Sequence, residues 1–292
     1  MIPPQKETRH ATAPQAARPR ACPVGQAEFA ASQPLHYHIQ RAVFRASGAN
    51  RGLAVDGQCF WVGEFGGWVR CYDRDGRPRA DRDLGGGKIQ YLGHGAAAVK
   101  DFVATGARDF IALFPRDGAP MRRIKPPEKG SVCAVASGGS TLWVMNHESP
   151  VLYEVDLEGR PLRQFTTTQS KSPTSRDIAI DCDGHLYVLD GSGGQNTNLL
   201  EYSSDGKLLR THRLAVPATS VAMDPDDRSK TLYRVTFSGE PIVYEYRLAP
   251  GERAERTLPR LARGPRYRPE GSQFVIEGGP HRFNRPLVEG PF

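Results

Sequence analysis

Three polar side chains stand at matching places in the sequence, each directly after a short apolar segment: Glu64, Asn146 and Asp190. His147 and Glu148 adjoin the second of them. Carboxylate, amide and imidazole groups that converge could ligate calcium or zinc, or could transfer protons. Short polar side chains at repeated places are also ordinary turn residues, because they accept hydrogen bonds from backbone N–H groups. The pattern leaves open both a metal or acid–base site and a structural role.

A second set of polar residues stands just before apolar segments. It consists of Arg51, Ser131, Arg176, Asp177 and Thr219. Two arginines at equivalent places suit a small anionic ligand, since a guanidinium holds a carboxylate or phosphate through paired hydrogen bonds. Each arginine could instead pair with a neighbouring acid such as Asp177. A divalent cation prefers several charged oxygens, and this set offers one, so we predict no resident cofactor, with calcium or zinc at the first set as the alternative.

The elements that would position these residues repeat along the chain. Copies of one apolar alternation start at Leu53, near Ile89, and at Cys133, Ile178 and Val221. The starts lie 36, 44, 45 and 43 residues apart. Such spacings are typical of four-stranded propeller blades.

A closing turn recurs within the copies, in which an acidic residue is followed by glycine. The four turns are Asp75-Gly76, Asp117-Gly118, Glu158-Gly159 and Asp205-Gly206. This dipeptide favours a tight hairpin that needs positive φ. A more polar strand follows, as in 161–165 and 208–212, and polar strands suit the exposed rim of a blade.

The stretch from Asp177 to Leu214, DIAIDCDGHLYVLD and then NLLEYSSDGKLLRTHRL, resembles an NHL repeat. The resemblance extends over about 51–258 and implies an all-β fold, a β-propeller that most commonly has six four-stranded blades. Five copies are visible, so we expect a sixth blade closed by N- and C-terminal strands, from Leu35 to Phe44 and from Gln273 to Glu277. Such closure would remove the open sheet edges, although a five-bladed count stays open.

The chain is more distantly similar to the gluconolactonase and senescence-marker propellers. Those enzymes place Asn and Asp metal ligands just before inner strands, where this sequence has Asn50 and Asp177. It also resembles the streptogramin-inactivating lyases, which use a metal-held His and Glu constellation. The nearest candidates here are His147, Glu148 and His185, in surroundings that do not match that pattern.

The ends of the chain differ from the repeats. Residues 1–33 are rich in Ala, Pro, Gln and Arg, so we predict a disordered basic tail followed by a propeller domain over 34–292. Most of the net charge of +7 lies near the ends. No apolar run approaches the ~18 residues of a membrane span and no secretion signal begins the sequence, which predicts a cytoplasmic protein. Cys59 and Cys71 flank one hairpin, and we expect free thiols in a reducing compartment.

Architecture does not fix activity, because propellers serve unrelated functions. We predict a non-catalytic binding or interaction scaffold that presents its loops and an Arg-bearing channel mouth to a protein or another acidic partner. The alternative is a propeller hydrolase, lactonase or lyase with a metal-assisted site in the central channel. A third possibility is an RNA-binding propeller, for which the modest charge gives weak support.

Overall fold

The fold is that of a computed structural model. It describes residues 35–46, 50–64, 67–85, 92–168, 177–190, 198–214, 218–235, 241–250, 267–270, 273–276 and 282–284. These residues form β-strands and turns, with one short 3₁₀ turn at Ala80–Arg82. None of the described helical structure is long and apolar enough to cross a lipid bilayer.

Twenty strands form five antiparallel blades of four strands each. Blade 1 contains β2 (Asn50–Val55), β3 (Cys59–Glu64), β4 (Trp68–Asp73) and β5 (Leu84–Gly85). Blade 2 contains β6 (Leu92–Val99), β7 (Phe102–Ala107), β8 (Ile111–Pro115) and β9 (Arg122–Ile124). Blade 3 contains β10 (Val132–Ser137), β11 (Leu142–Asn146), β12 (Val151–Val155) and β13 (Pro161–Thr166). Blade 4 contains β14 (Ile178–Ile180), β15 (Leu186–Asp190), β16 (Asn198–Tyr202) and β17 (Leu208–Arg213). Blade 5 contains β18 (Ser220–Met223), β19 (Leu232–Val235), β20 (Ile242–Pro250) and β1 (Leu35–Arg45).

The first strands of the blades, β2, β6, β10, β14 and β18, contact one another around a central axis. We call the face at which these strands begin, and at which the second strands end, the upper face. The opposite face is the lower face. The predicted all-β propeller is therefore confirmed.

Alternating side chains hold the blades together. Along β3, Cys59 and Trp61 pack toward blade 2, whereas Phe60 and Val62 pack toward blade 5. Because side chains of a strand alternate between its two faces and both faces are covered here, the inner strands read as nearly continuous apolar runs. Five buried clusters of this kind fill the five blade interfaces of the described chain.

The predicted closing turns are confirmed. Gly76, Gly118, Gly159 and Gly206 have φ between 82° and 88°. At Gly206 a Cβ atom would also lie 2.5 Å from Cγ of Phe165. The fourth strand β13 is largely exposed, as the polar sequence predicts.

The expected sixth blade is wrong, since the ring closes with five. The N-terminal strand β1 pairs with β20, from Leu35 opposite Pro250 to Arg45 opposite Ile242. The C-terminal segment instead forms a separate three-stranded sheet of β21 (Tyr267–Glu270), β22 (Gln273–Ile276) and β23 (Arg282–Asn284). Spacing reveals the length of a blade, but the number of blades depends on how closely the inner strands approach the axis.

The inner strands approach the central axis very closely. A Cβ atom on Gly52 would lie 2.6 Å from the carbonyl carbon and oxygen of Gly95. Among the described residues, a pocket toward the lower ends of the inner strands leaves about 30 Å³ for the centres of water-sized molecules and is lined mainly by small apolar side chains such as Ala54, Ala97 and Ala179. The inner strands therefore leave little space at this part of the axis.

The described cysteines are free thiols. Burial raises the pKa of Cys71, and a hydrogen bond with Cys59 raises it further. Both thiols belong to the apolar cluster between blades 1 and 2.

Candidate functional site at the upper face

The predicted site residues that the structure describes all lie at the upper face. Ser131, Asp177 and Thr219 stand at or just before the starts of inner strands, and Glu64, Asn146 and Asp190 end second strands. Arg176 lies outside the described residues. Arg51 belongs to β2, but its side chain lies outside the description, so the predicted Arg-bearing channel mouth stays a prediction.

Asp177 is fully buried at the junction of blades 4 and 5. Its Oδ1 accepts the Ile178 N–H at 2.9 Å, and its Oδ2 accepts the Val221 N–H at 2.9 Å and the Ser220 hydroxyl. Oδ1 also lies 2.9 Å from the place where a Cβ of Gly95 would stand. The carboxyl group thus joins two inner strands and reaches a third.

Burial raises the pKa of Asp177 to about 8, although its three hydrogen bonds favour the charged form. Within the described residues no basic side chain forms an ion pair with it. Burial therefore favours the neutral carboxylic acid form of Asp177 more than in an exposed aspartate. Its partners are supplied by the inner strands themselves, which makes it first of all a structural residue.

Two other predicted residues are engaged in local structure. The Ser131 carbonyl accepts the His147 N–H at 2.9 Å. The Thr219 hydroxyl donates to the Val235 carbonyl at 3.1 Å. Both contacts tie the start of a first strand to its own blade.

The set of Glu64, Asn146 and Asp190 occupies equivalent places in three different blades. Glu64 pairs in register with Asn50, and Asn146 with Val132, so each stands where the blade begins. The Asn146 side-chain amide donates to the carbonyls of Glu128 and Lys129, at 3.1 and 3.4 Å. This amide holds the loop before β10, which is the structural role that the sequence left open.

No three His, Cys, Asp or Glu side chains in the described part of the chain are arranged to hold a metal ion. The lyase-like candidates are separated, because His147 and Glu148 follow β11 at the upper face whereas His185 precedes β15 at the lower face. The Nδ1 atom of His185 lies 3.0 Å from Oε1 of Glu201. The expectation of no resident cofactor, and its calcium or zinc alternative, stay predictions.

Glu64 has a different environment from the other two residues. It is 1% exposed at the end of β3. Its Oε2 lies 3.5 Å from Nε of Arg70, whose Nη1 contacts Oδ2 of Asp83 directly. Burial disfavours the charge on Arg70, but Glu64 and Asp83 outweigh that effect and raise the pKa of the guanidinium. The guanidinium of Arg70 therefore interacts with two carboxylates.

Sequence reasoning missed Arg70 and Asp83. A signal for Arg70 was present, because it interrupts the buried strand Trp68–Asp73, and a buried arginine requires acidic partners. Asp83 gave no such signal, since it lies 13 residues further on in an irregular connection.

No protein-family model and no curated protein matches this sequence. Among solved structures, a glutaminyl cyclase from Myxococcus xanthus is similar, with 15% sequence identity and a TM-score of 0.58 over 75% of this chain and 98% of the cyclase. A streptogramin B lyase is 14% identical over 73% of this chain and 72% of the lyase, with a TM-score of 0.45. The likeness to the cyclase covers nearly all of that protein and shows a shared propeller fold.

Proposed function

We propose that the protein is an enzyme of the upper face, and that Glu64 transfers protons in an acyl-transfer reaction such as the cyclisation of an N-terminal glutamine. This proposal takes the enzymatic alternative over the non-catalytic scaffold. The name of the similar propeller, a glutaminyl cyclase, suggests the reaction class. The observation that carries the proposal is a carboxyl group, 1% exposed, whose described ion-pair partner is shared with a second acid.

Cyclisation of an N-terminal glutamine requires little more than a carboxyl group in the correct position. The α-amino nitrogen of the substrate attacks its own γ-carboxamide carbon, a lactam C–N bond forms, and the original C–N bond breaks to release ammonia. The amine must lose one proton and the leaving nitrogen must gain one. A carboxylate that accepts the first proton can donate it as a carboxylic acid to the second position, which is general base and then general acid catalysis.

Glu64 is buried, and burial affects proton exchange. Removal of a carboxyl group from water disfavours its charged form and so makes protonation easier. Arg70 does not act on Glu64 alone, because Asp83 holds the same guanidinium. The described contact between Glu64 and Arg70 is therefore both long and shared.

The test is an assay with the purified protein and a peptide that begins with glutamine. We expect release of ammonia and a product about 17 Da lighter, and we expect Glu64→Gln to lower kcat at least 100-fold, the usual contribution of a general acid–base residue. Glu154→Gln is the control, because Glu154 is also a glutamate paired with an arginine, Arg163, but it lies on another blade.

Failure of the wild-type protein to cyclise any such peptide, together with binding of an acidic protein or anion, would instead favour the scaffold. Activity that survives in Glu64→Gln would remove Glu64 from the mechanism. Partners, cellular location and a role in binding RNA stay predictions.

A further inference from the structure

Two cysteine thiols lie side by side at the interface of blades 1 and 2. In the register of β3 and β4, Cys59 stands opposite Asp73 and Cys71 stands opposite Trp61, so the two cysteines are diagonal neighbours. Both belong to the buried cluster between the two blades, so their side chains lie on the same face of the sheet. They are free thiols joined by a hydrogen bond. Two sulfur ligands are therefore already in contact.

Backbone hydrogen bonds hold both cysteines in place. The Cys59 N–H donates to Oδ1 of Asp56 at 2.7 Å. The Cys71 N–H donates to Oδ1 of Asp83 at 3.1 Å, and the Cys71 carbonyl accepts the Arg79 N–H at 2.8 Å. The fold thus positions the pair of thiols in advance, which lowers the ordering cost of binding a ligand.

The diagonal arrangement suits a bridging ion better than a disulfide. Diagonal neighbours on antiparallel strands have Cα atoms about 7–8 Å apart, whereas disulfides join Cα atoms about 4.4–6.8 Å apart. A metal ion spans a wider gap between two sulfurs, because it forms a bond of about 2.3 Å to each of them instead of one S–S bond of about 2.05 Å. An ion could therefore link Cys59 and Cys71 without drawing the two strands together.

The surroundings of the two sulfurs select a soft ion. The neighbouring side chains of the cluster are apolar, among them Trp61, Val69 and Met121. Calcium requires several oxygen ligands, and a structural zinc ion requires four ligands. No group of three ligating His, Cys, Asp or Glu side chains lies in the part of the chain that the structure describes. Copper(I) is a soft ion that thiolates select, and it can be held by two sulfurs.

Arg82 lies where such a site needs a positive charge. Two thiolates and one copper(I) ion carry a net charge of −1, and burial of charge is costly without a partner. The Nη1 atom of Arg82 lies 3.8 Å from Sγ of Cys59 and donates a weak hydrogen bond to it. Arg82 is exposed and ends the 3₁₀ turn Ala80–Arg82, which contains no buried residue. Displacement of this turn would give an ion access to Cys59 from solvent.

We propose that Cys59 and Cys71 form a binding site for a soft monovalent metal ion, copper(I), between blades 1 and 2. The ion forms one bond to each sulfur, both S–H bonds break, and two protons pass to solvent. Burial raises the pKa of Cys71, but a thiol that coordinates a metal ion is deprotonated outright. The site does not depend on the proposed cyclisation, because Cys59 begins β3 at the lower face whereas Glu64 ends that strand at the upper face.

The test is a titration of the reduced, full-length protein with copper(I) in the absence of oxygen, against bicinchoninate as a coloured competing chelator. We expect the wild type to withdraw one copper(I) ion per chain from the chelator. The double variant Cys59→Ser, Cys71→Ser should bind the ion roughly 100-fold more weakly or less tightly still, because a hydroxyl is a poor ligand for a soft ion. In Arg82→Gln the affinity should fall roughly tenfold, the order expected when a group next to a ligand is removed.

Cys133→Ser is the matched control, because Cys133 is also a fully buried cysteine but belongs to β10 of blade 3. Cooperative melting checks that each variant keeps its fold. X-ray absorption at the copper edge of the loaded wild type should show sulfur neighbours only. This spectrum needs no variant, so the inference stays open to refutation even where a cysteine variant does not fold.

Loss of copper(I) binding in the double variant, with binding retained in Cys133→Ser, would support the site. Tight binding that survives in the double variant would overturn it, as would a spectrum with oxygen or nitrogen neighbours alone. The site is also wrong if the wild type withdraws no copper(I) and instead forms a disulfide between Cys59 and Cys71 with oxidised glutathione. An unchanged affinity in Arg82→Gln would remove Arg82 from the site.

Discussion

At the scale of single residues, the described part of the upper face contains two buried carboxyl groups with different environments. Asp177 accepts hydrogen bonds from Ile178, Ser220 and Val221, donors that belong to two inner strands. Glu64 has a long and shared contact with Arg70. A carboxyl whose oxygens accept hydrogen bonds from inner strands, as in Asp177, stabilises the fold.

The pKa of Asp177 predicts how stability depends on pH. Burial raises its pKa in the folded state to about 8, far above the ordinary value of 3.8. The unfolded chain therefore releases this proton at lower pH than the folded chain, and this group's contribution to the free energy of unfolding falls as pH rises from about 4 to about 8. In Asp177→Asn that contribution should be absent, so the variant should gain stability relative to the wild type over this interval.

Urea unfolding at pH 5, 6.5 and 8 measures this difference, and Asp190→Asn on the same face corrects for changes in surface charge. If the wild type instead gains stability relative to Asp177→Asn as pH rises, the three hydrogen bonds outweigh burial, and Asp177 is an anion in the folded protein.

At the scale of elements, the sequence predicted the parts of a blade better than their assembly. The Asp-Gly and Glu-Gly turns at Gly76, Gly118, Gly159 and Gly206 could be predicted because positive φ restricts the residue locally. The polar fourth strands could be predicted because an exposed edge tolerates charge. The partner of β1 could not, since pairing between Leu35 and Pro250 joins residues from opposite ends of the propeller.

The candidate site, like the blades, could be predicted from the sequence only in part. The equivalence of Glu64, Asn146 and Asp190 is visible in the repeat, because each residue ends a second strand. The grouping of Glu64 with Arg70 and Asp83 is not, because it depends on the direction in which a short irregular connection returns to blade 1. Local patterns therefore indicate where a site lies, and tertiary packing decides which side chains share it.

Because β1 closes the ring, we expect two N-terminal deletions to differ sharply in their effect on stability. Removal of residues 1–33 should leave the melting temperature unchanged within a few degrees, because a segment of that composition cannot build a core. Removal of residues 1–45 should prevent cooperative folding, because it deletes the partner of β20 and Phe44, which stacks on Tyr72 with ring centroids 4.6 Å apart. Thermal melting by circular dichroism measures both.

A third truncation, after Arg263, removes the strands β21 to β23. With five blades closed by β1, we expect this product to stay soluble and to melt cooperatively. Aggregation of this product would show that the separate C-terminal sheet contributes to the ring, while cooperative melting of the 1–45 deletion would show that β1 does not close it.

At the scale of the whole molecule, the ring is held at the axis, at the blade interfaces and at the lower face. Ion pairs join neighbouring blades at the lower face: Arg74 with Asp224 at 3.2 Å, Arg116 with Asp56 at 2.9 Å, and Lys230 with Asp181 at 2.8 Å. Each pair includes the acid that follows a first strand. The lower face thus contributes to cohesion between the blades.

The close approach of the inner strands makes Gly95 a test of the five-bladed ring. Its φ is 105°, and a Cβ there would lie 2.6 Å from the backbone nitrogen of Val135 and 2.9 Å from Oδ1 of Asp177. Gly95→Ala would therefore add a steric conflict with two other blades to the strain of a positive φ. Gly118 is the matched control, because its φ is also positive, at 82°, and a Cβ there would meet nothing within 4 Å.

We expect Gly118→Ala to cost about 1 kcal/mol, the strain of the left-handed conformation, and Gly95→Ala to cost about 2 kcal/mol more, because overpacking a filled interior adds roughly 1–3 kcal/mol. The extra cost corresponds to a further fall in melting temperature of roughly 4–8 °C for a domain of this size. Equal falls in the two variants would mean that the inner strands stand further apart than described, and the axis would then have room for a ligand.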